Sequence, residues 1–265
     1  MDKSKLLDKA AADSQERMLL ARVLDKLHQS EQRNIPAGTD FLSPSQRTAA
    51  EDLLRQAGTP PERWLAWGGY DGAERQALLF LPDWMEPEAG AAELGLRYLR
   101  AAYRREYQLT HRDLLGSLMG LGIVREKVGD LLVGEESCDL VVQDSVAEFL
   151  LQSWDTAGRA RVTVTEIGPE NLHIPQVRCQ EIRDTVAALR LDAVASTGFR
   201  MARGKAAALI ESGKVQVNWR ECTKPDKLLQ AGDTVTARGF GKFELLEVGG
   251  VTKKGRQAIL LKRYV

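Results

Sequence analysis

RLDAVASTGFRMARGKAAALIESGKVQVNWRECTKPDKLLQAGDTVTARGFGKF, residues 190–243, is the stretch whose reading decides the fold. Leu191, Val194 and Ala195 fall on one face of a short helix. Gly198 is expected to break that helix, as glycine does where a non-helical backbone is wanted. A second helix follows, expected to bury Ala202, Ala206, Leu209 and Ile210 and to carry Arg200 and Arg203 on an adjacent edge. Gly213 stands where a helix C-cap is expected. Lys214–Asn218 then alternates as a half-buried strand does, with Val215 and Val217 inward and Lys214 and Gln216 outward.

Charge divides the chain at the same place. From Arg190 to Val265 there are fifteen Lys and Arg against seven Asp and Glu, about +8, whereas residues 1–189 hold 22 basic and 30 acidic side chains, about −8. The net charge of zero therefore conceals a basic module on an acidic body. Fixed cations attract phosphates, and release of counterions favours the association, so such a module suits a nucleic acid.

Four features lie in the helix–helix–strand stretch and just beyond it. They are RLD at Arg190–Asp192, the basic turn R-x-x-R-x-K at Arg200–Lys205, G-x-V-x-V-N at Gly213–Asn218 and A-G-D-x-V at Ala231–Val235. Together they resemble the RNA-binding domain of bacterial small-subunit ribosomal protein S-four. The resemblance implies RNA contacts from Arg190, Arg200, Arg203, Lys205, Lys214, Asn218 and Arg220. Arg200, Arg203 and Lys205 are expected at the start of the second helix, where the helix dipole already favours an anion. Because the apolar positions lie elsewhere around that helix, reversing Arg200 and Arg203 to Glu is expected to weaken RNA binding and spare stability. Two residues depart from the pattern: Met201 stands where related domains often have Ser, and Trp219 where Gly is common. The second is expected to alter the turn after the strand.

At 265 residues the chain is long enough for two or three domains, and 43% hydrophobic with 28% charged residues is a globular rather than a disordered composition. No apolar run reaches membrane-spanning length. The start, MDKSKLLDKAAADSQER, lacks a signal-peptide core and is too acidic for a typical transit peptide. No membrane insertion is expected. Cys138, Cys179 and Cys222 are odd in number and widely spaced, which argues against a disulfide framework or a C-x-x-C metal site and for a reducing cytoplasm.

Taken in order, residues 3–32 read as one long amphipathic helix carrying Leu6, Leu7, Ala10, Leu19, Leu20, Val23, Leu24 and Leu27, with His28 a surface residue near its end. Ser43 and Pro44 open a further helix, which runs through Gln56 and stops at Gly58. Trp64 and Trp67 read as packing anchors. Residues 1–72 are thus expected to form a helical domain. From Gln76 the texture alternates. Gln76–Leu81 is a strand, then Leu96–Tyr103 a strand, His111–Leu121 a helix, Asp130–Val133 and Asp139–Val142 strands, Ser145–Trp154 a helix and Arg161–Ile167 a strand. From Leu96 the order is β-α-β-β-α-β, the ferredoxin-like unit, and 73–170 is the expected middle domain. RNA-recognition domains share that order. The aromatic-rich base-stacking signature is missing here, so topology alone does not license RNA binding. GPENLHIPQ, residues 168–176, is a polar join in which His173 is a linker residue, and Val177–Leu189 is an extended lead-in. Strands at Thr234–Arg238, Phe243–Val248 and Ala258–Tyr264 complete a third domain, 180–265. Gly239-Phe240-Gly241 lies between strands with no following helix and is rejected as a nucleotide loop. The fold class is α+β.

LTHRDLLGSLMGLGIVREKVGDLLV, residues 109–133, is the sharpest sequence of the middle part. Thr110 is expected to cap a helix whose apolar stripe is Leu114, Leu115, Leu118 and Met119, and Gly116, Gly120, Gly122 and Gly129 to serve close approach or positive φ. His111 and Asp113 are two residues apart on a helix and do not face each other, so no acid–base dyad is inferred. His111, Arg112, Arg125 and Lys127 are instead candidates for a second RNA contact. With the acidic helical N-terminal part and the S-four module, the motif L-T-H-R-D-x-L-G-x-L-M-x-L-G-I-x-R-E-K-x-G-D resembles the YlmH family. Its cyanobacterial and plastid members are often called photosystem II S-four domain proteins.

That resemblance implies a non-enzymatic RNA-binding protein of the bacterial translation system. Its partners would be ribosomal RNA or tRNA at the large ribosomal subunit, in rescue or quality control of stalled translation. No catalytic residue, cofactor or metal site is expected, since His, Cys and acidic residues do not cluster at ligand spacing. Two alternatives stand beside this reading. An RNA-modifying enzyme of the pseudouridine synthase type needs a catalytic Asp in a synthase motif, and a methyltransferase a Gly-rich cofactor loop; neither is found. An assembly factor acting through the acidic half would serve photosystem II biogenesis or cell division. The oligomeric state is left open.

Overall fold

The computed structural model describes residues 3–175 and 179–264, with Glu88 described by its backbone alone. The chain divides into two compact units, Met1–Pro175 and Gln176–Val265. In the first, the single helix expected over 3–32 is two: α1 (Lys3–Ala10) and α2 (Ser14–Arg33). Asp13 takes an extended backbone, and its side chain accepts a hydrogen bond from the Glu16 N–H, so a capping residue restarts the helix where the apolar periodicity runs on. β1 (Ala37–Gly38) follows, then α3 (Pro44–Ala57). A reciprocal Ser43–Gln46 capping box and Pro44 open α3, and Gly58 closes it at φ 77°. β2 (Trp64–Trp67) and β3 (Ala77–Phe80) join β1 in a small antiparallel sheet of order β1-β3-β2. The strand expected to head the middle domain thus pairs with N-terminal segments, and all four of its residues are buried. Leu20, Val23, Leu24 and Leu27 of α2 pack with Leu53 and Leu54 of α3 against Leu78 and Phe80. Trp64 is half-buried against this apolar packing, and Trp67 against Ala77, Leu79 and Leu81 on the sheet's other cluster.

After the short α4 (Pro87–Gly90) come β4 (Leu96–Ala102), α5 (His111–Gly120), β5 (Val128–Val133), β6 (Ser137–Gln143) and α6 (Asp144–Ser153). A small hairpin, β7 (Thr156–Ala157) with β8 (Ala160–Arg161), precedes β9 (Thr163–Ile167). The strand expected from Arg161 is therefore split, Arg161 belonging to the hairpin. The main sheet has the antiparallel order β5-β6-β4-β9, as the βαββαβ unit requires. One face carries Leu99, Leu140 and Val142 onto Leu114, Leu118 and Leu150 of the helices.

The opposite face is also occupied. Phe41 lies against Gly129, where a Cβ would come within 3.0 Å of its ring, and Gly69 lies against Val141 and Tyr98. Tyr98 donates its hydroxyl to the Gly69 carbonyl at 3.1 Å. Asp130 accepts from the Tyr70 hydroxyl at 2.8 Å and from the Glu74 and Arg75 N–H groups. Farther along the same face, Asp139 is bound at 2.7 Å by both arms of Arg100, its cross-strand neighbour, and by the His173 N–H. Arg100 also donates to the Asn171 carbonyl at 2.7 Å, so the join after β9 lies over this part of the sheet.

The second unit holds β10 (Cys179–Val186), α7 (Leu191–Gly198), α8 (Arg203–Glu211), β11 (Val215–Val217), β12 (Arg220–Glu221), β13 (Thr234–Ala237), β14 (Gly241–Val251) and β15 (Gln257–Tyr264). Their sheet order is β10-β15-β14-β13-β11-β12. Of the expected extended lead-in, 177 and 178 lie outside the described residues, and from Cys179 it is a strand paired along β15. Leu191, Val194, Ala206 and Ile210 of the helices pack on Val215, Phe243, Leu245 and Leu261. Gly198 ends α7 rather than breaking it, and its role is steric. A Cβ there would stand 2.4 Å from the Phe243 ring, so Gly198→Ala is expected to cost about 1–3 kcal/mol by overpacking.

Candidate nucleic-acid interface

Four of the second unit's basic residues, Arg190, Arg200, Arg203 and Lys205, lie at the start of α7 and where it turns into α8. At the start of α7 the Leu191 and Asp192 N–H groups donate to the carbonyls of Lys227 and Pro225. Asp192 is thereby fixed in the first turn, 5% exposed. Two guanidinium groups bracket it: Arg190 at 3.2 Å through both Nε and Nη2, and Arg203 through Nε at 3.1 Å and Nη2 at 2.9 Å. Burial raises the Asp192 carboxyl, but hydrogen bonds from Arg190 and Arg203 outweigh it and hold the group below its ordinary value. The same pairing raises Arg190. The side chains of Arg190 and Arg203 remain 39% and 53% exposed, so this carboxylate orients two cations outward. The expectation that Arg203 could be reversed without harm to the fold is therefore corrected: Arg203 is one of the two counterions of a buried acid.

Arg200 differs. Its N–H donates to the Thr197 carbonyl and the Met201 N–H to that of Ser196, the two bonds of a Schellman ending to α7. The motif calls for a left-handed residue at this position, and Arg200 takes φ 53° where glycine is usual. A non-glycine residue there costs roughly 1–2 kcal/mol. Arg200 is exposed and makes no ion pair among the described residues. It borders a shallow depression of about 520 Å³ lined by Ile182, Asp184, Ser196, Thr197, Met201 and Ala202. Ala202, expected on the buried side of the second helix, is instead its exposed N-cap and supplies no side-chain cap. The start of α8 therefore presents main-chain donors beside Arg200, Arg203 and Lys205, a favourable setting for an anion.

Lys205 is exposed, with its ammonium 5.1 Å from the centroid of the Phe240 ring. Lys214 is exposed at the entry to β11. Asn218 and Trp219 both take positive φ, 51° and 60°, forming the two-residue turn between β11 and β12. Asn218 is committed inward: its amide donates to Asp233 at 2.7 Å, and its oxygen accepts from the Thr234 N–H. Arg220 is exposed on the far side of that turn. Sequence reasoning missed Lys242 and Lys262, whose ammonium groups lie 4.5 and 5.5 Å from the Tyr264 ring centroid. Only the cross-strand register Lys242↔Tyr264 brings the first pair together, and local spacing does not contain it.

In the first unit the four candidates divide. Thr110 and Asp113 cap α5 reciprocally, which leaves His111 and Arg112 exposed at its start and holds the Asp113 carboxyl below its usual range. Partial burial, then the nearby Arg125 charge, lower His111, with Asp130 opposing. Arg125 is half-buried and donates to the carbonyls of Val128 and Gly129. Desolvation and the like charge of Arg75 push it down to about 10. Lys127 is paired with Asp40 at 2.6 Å. Of the glycines nearby, Gly129 serves close approach, whereas Gly116 and Gly120 face open space. Among the described residues no group of three or more His, Cys, Asp or Glu could hold a metal ion, and no helix is long and apolar enough to cross a membrane.

Comparison with known proteins adds the following. Residues 15–83 match the family model described as "YlmH, N-terminal", residues 92–171 "Putative RNA-binding domain in YlmH", and residues 189–235 "S4 domain". The chain is 36% identical over 226 residues to a Bacillus subtilis protein named "Ribosome-associated protein quality control protein P2", covering 85% of this chain and 86% of that protein. It also resembles the solved structure of the cell division protein ylmH from Streptococcus pneumoniae. The TM-score is 0.52 at 20% identity, over 62% of this chain and 98% of that one, a likeness of fold.

Proposed function

The chain belongs to the YlmH family, and on that footing we propose that it is a ribosome-associated RNA-binding protein of translation quality control. Its second unit docks on structured RNA, ribosomal RNA or tRNA at the large subunit, and it acts in the cytoplasm without a catalytic centre. The observation that carries this reading is Arg200. A long cation, without an ion pair among the described residues, stands in a left-handed position that glycine would occupy without strain, next to the start of α8, which has no side-chain cap. Strain at one exposed residue points to a use for its side chain. Arg203 and Arg190 supply planar guanidinium forks aimed by Asp192, and Lys205 a point charge, a set suited to successive phosphates. Asn218 holds the β11–β12 turn, and Lys214 and Arg220 flank it.

Sedimentation with purified large ribosomal subunits tests the proposal. The chain is expected to travel with the subunits, and Arg200→Ala with Lys205→Ala to remain largely at the top of the gradient while melting as the parent does. A parent chain that binds neither subunits nor tRNA contradicts the reading.

A further inference from the structure

The middle domain has the strand order of RNA-recognition domains, whose sheet faces stack bases, yet here that face is closed. Gly129, Leu132, Asp139 and Val141 are buried, and Tyr98 and Arg100 half-buried, beneath Phe41, Gly69 and the join at Asn171–His173. Of the sheet's four strands only β9 keeps exposed polar positions there, Thr163 and Thr165.

An open cationic surface lies elsewhere. The β7–β8 hairpin turns at Gly158 and Arg159, and Gly158 is seated on the start of α5: a Cβ built there would lie 3.9 Å from Asp113 Cβ and from Leu109. Ala157 and Ala160 are buried, which turns their neighbours Arg159 and Arg161 outward, and both are exposed. Arg112, beside Asp113, is exposed at the same end. Of the acids beside them, Asp113 is turned onto the Thr110 N–H and hydroxyl as a cap, and Asp155 is exposed just before the hairpin. Elsewhere in this acidic unit arginines meet carboxylates, as Arg63, Arg97 and Arg100 do. Arg112, Arg159 and Arg161 make no ion pair among the described residues, although the Arg112 charge helps to hold Asp113 low. Three exposed guanidinium groups outside any ion pair among the described residues form a surface for polyanion backbone, with Tyr107, 41% exposed, just before α5.

We propose that the middle domain grips RNA through this rim, Arg112, Arg159 and Arg161, by phosphate contacts, and not through its sheet face. The proposal rests on the RNA-binding reading above and adds where the first unit takes part in it.

The test uses the full chain and fluorescein-labelled tRNA. Changing Arg112→Ala, Arg159→Ala and Arg161→Ala together is expected to leave the melting temperature unchanged and weaken binding about tenfold at 0.1 M salt. It should also flatten the log–log salt slope by roughly two units, near 0.7–0.9 per lost phosphate. Ultraviolet crosslinking of the parent chain should place RNA on the peptides carrying Tyr107 and Arg159. Parent-level affinity and slope in the triple variant, or crosslinks on β4 and β6 instead, would overturn the proposal. A parent chain that binds no RNA overturns the reading beneath it as well, and so distinguishes the two failures.

Discussion

Asp139 in the first unit and Asp192 in the second are both buried carboxylates held by arginine, and they end in opposite surfaces. Asp139 is bound by a cross-strand Arg100 that also donates to Asn171, and the chain closes over the pair. Asp192 is bound from two helices, and its arginines stay half in solvent. One pair seals a sheet face; the other aims cations at whatever approaches the α7–α8 turn. Counting arginines therefore says little about binding: the acid that receives each one decides whether its charge is consumed inside the fold or presented.

The largest expected effect lies on the sealed side. Arg100→Ala leaves Asp139 without its counterion, and loss of one partner of a buried pair costs on the order of 3–5 kcal/mol. Denaturant unfolding of the full chain should show that loss in the transition of the first unit, with the second unit's transition unmoved. An unchanged first transition would show that the two carboxylates are not alike. Next comes Arg203→Glu, which places a second carboxylate against Asp192. Roughly 2–4 kcal/mol should be lost from the second unit along with RNA affinity, whereas Arg203→Lys should keep most of both. Calorimetry of the two variants checks this.

The acid limb of stability separates the cause. A free carboxyl titrates near about 3.9, and Asp192 is held lower in the fold. Its contribution is therefore complete at neutral pH and is lost as pH falls from about 4 through the lowered folded value. Asp192→Asn should be less stable than the parent at pH 7, and the gap should narrow as pH falls below 4. A gap independent of pH would mean that the charge is not what matters. The smallest effect is expected at Lys205, which is itself exposed where it lies over the Phe240 ring. Lys205→Ala should cost about 0.5 kcal/mol or less by thermal melt, since the half-buried Phe240 ring stays in place against Phe199 and the core.

Much of the fold was legible where local chemistry controls it. Ser43-Pro44 and Thr110 were read as helix caps and are, and the βαββαβ order follows from alternating apolar runs. The break at Ala11–Asp13 was also written in the chain, as Asp13 with Glu16 three residues on, but the continuous apolar stripe obscured it. β3 was read into the middle domain because its partners, the two-residue β1 and the Trp64–Trp67 segment of β2, carry no strand periodicity to read. At the candidate interface the residue types stood in a quotable motif, while the roles of Arg200 and Arg203 did not. Gly198 drew attention as the helix breaker, yet the left-handed residue is two positions later and is an arginine. Asp192 bonds Arg203 across eleven positions of sequence, and closure of the middle sheet depends on Phe41 and Gly69, far from it in the chain. The Arg200 cap is a local backbone ending that an arginine disguises, whereas tertiary contacts decided the other two, and no local spacing carries those.

Arg200→Gly tests most directly the claim that unpaired cations at the α7–α8 turn are kept for RNA. Relief of the left-handed strain is offset in part by the greater freedom of glycine in the unfolded chain, so the variant should be as stable as the parent or more so, by up to about 1 kcal/mol. Its affinity for tRNA and for large ribosomal subunits should fall about fivefold or more, with a salt slope flatter by on the order of one unit or somewhat less. Weaker RNA binding at an equal or higher melting temperature is the predicted result. Undiminished affinity in that stable variant would contradict it.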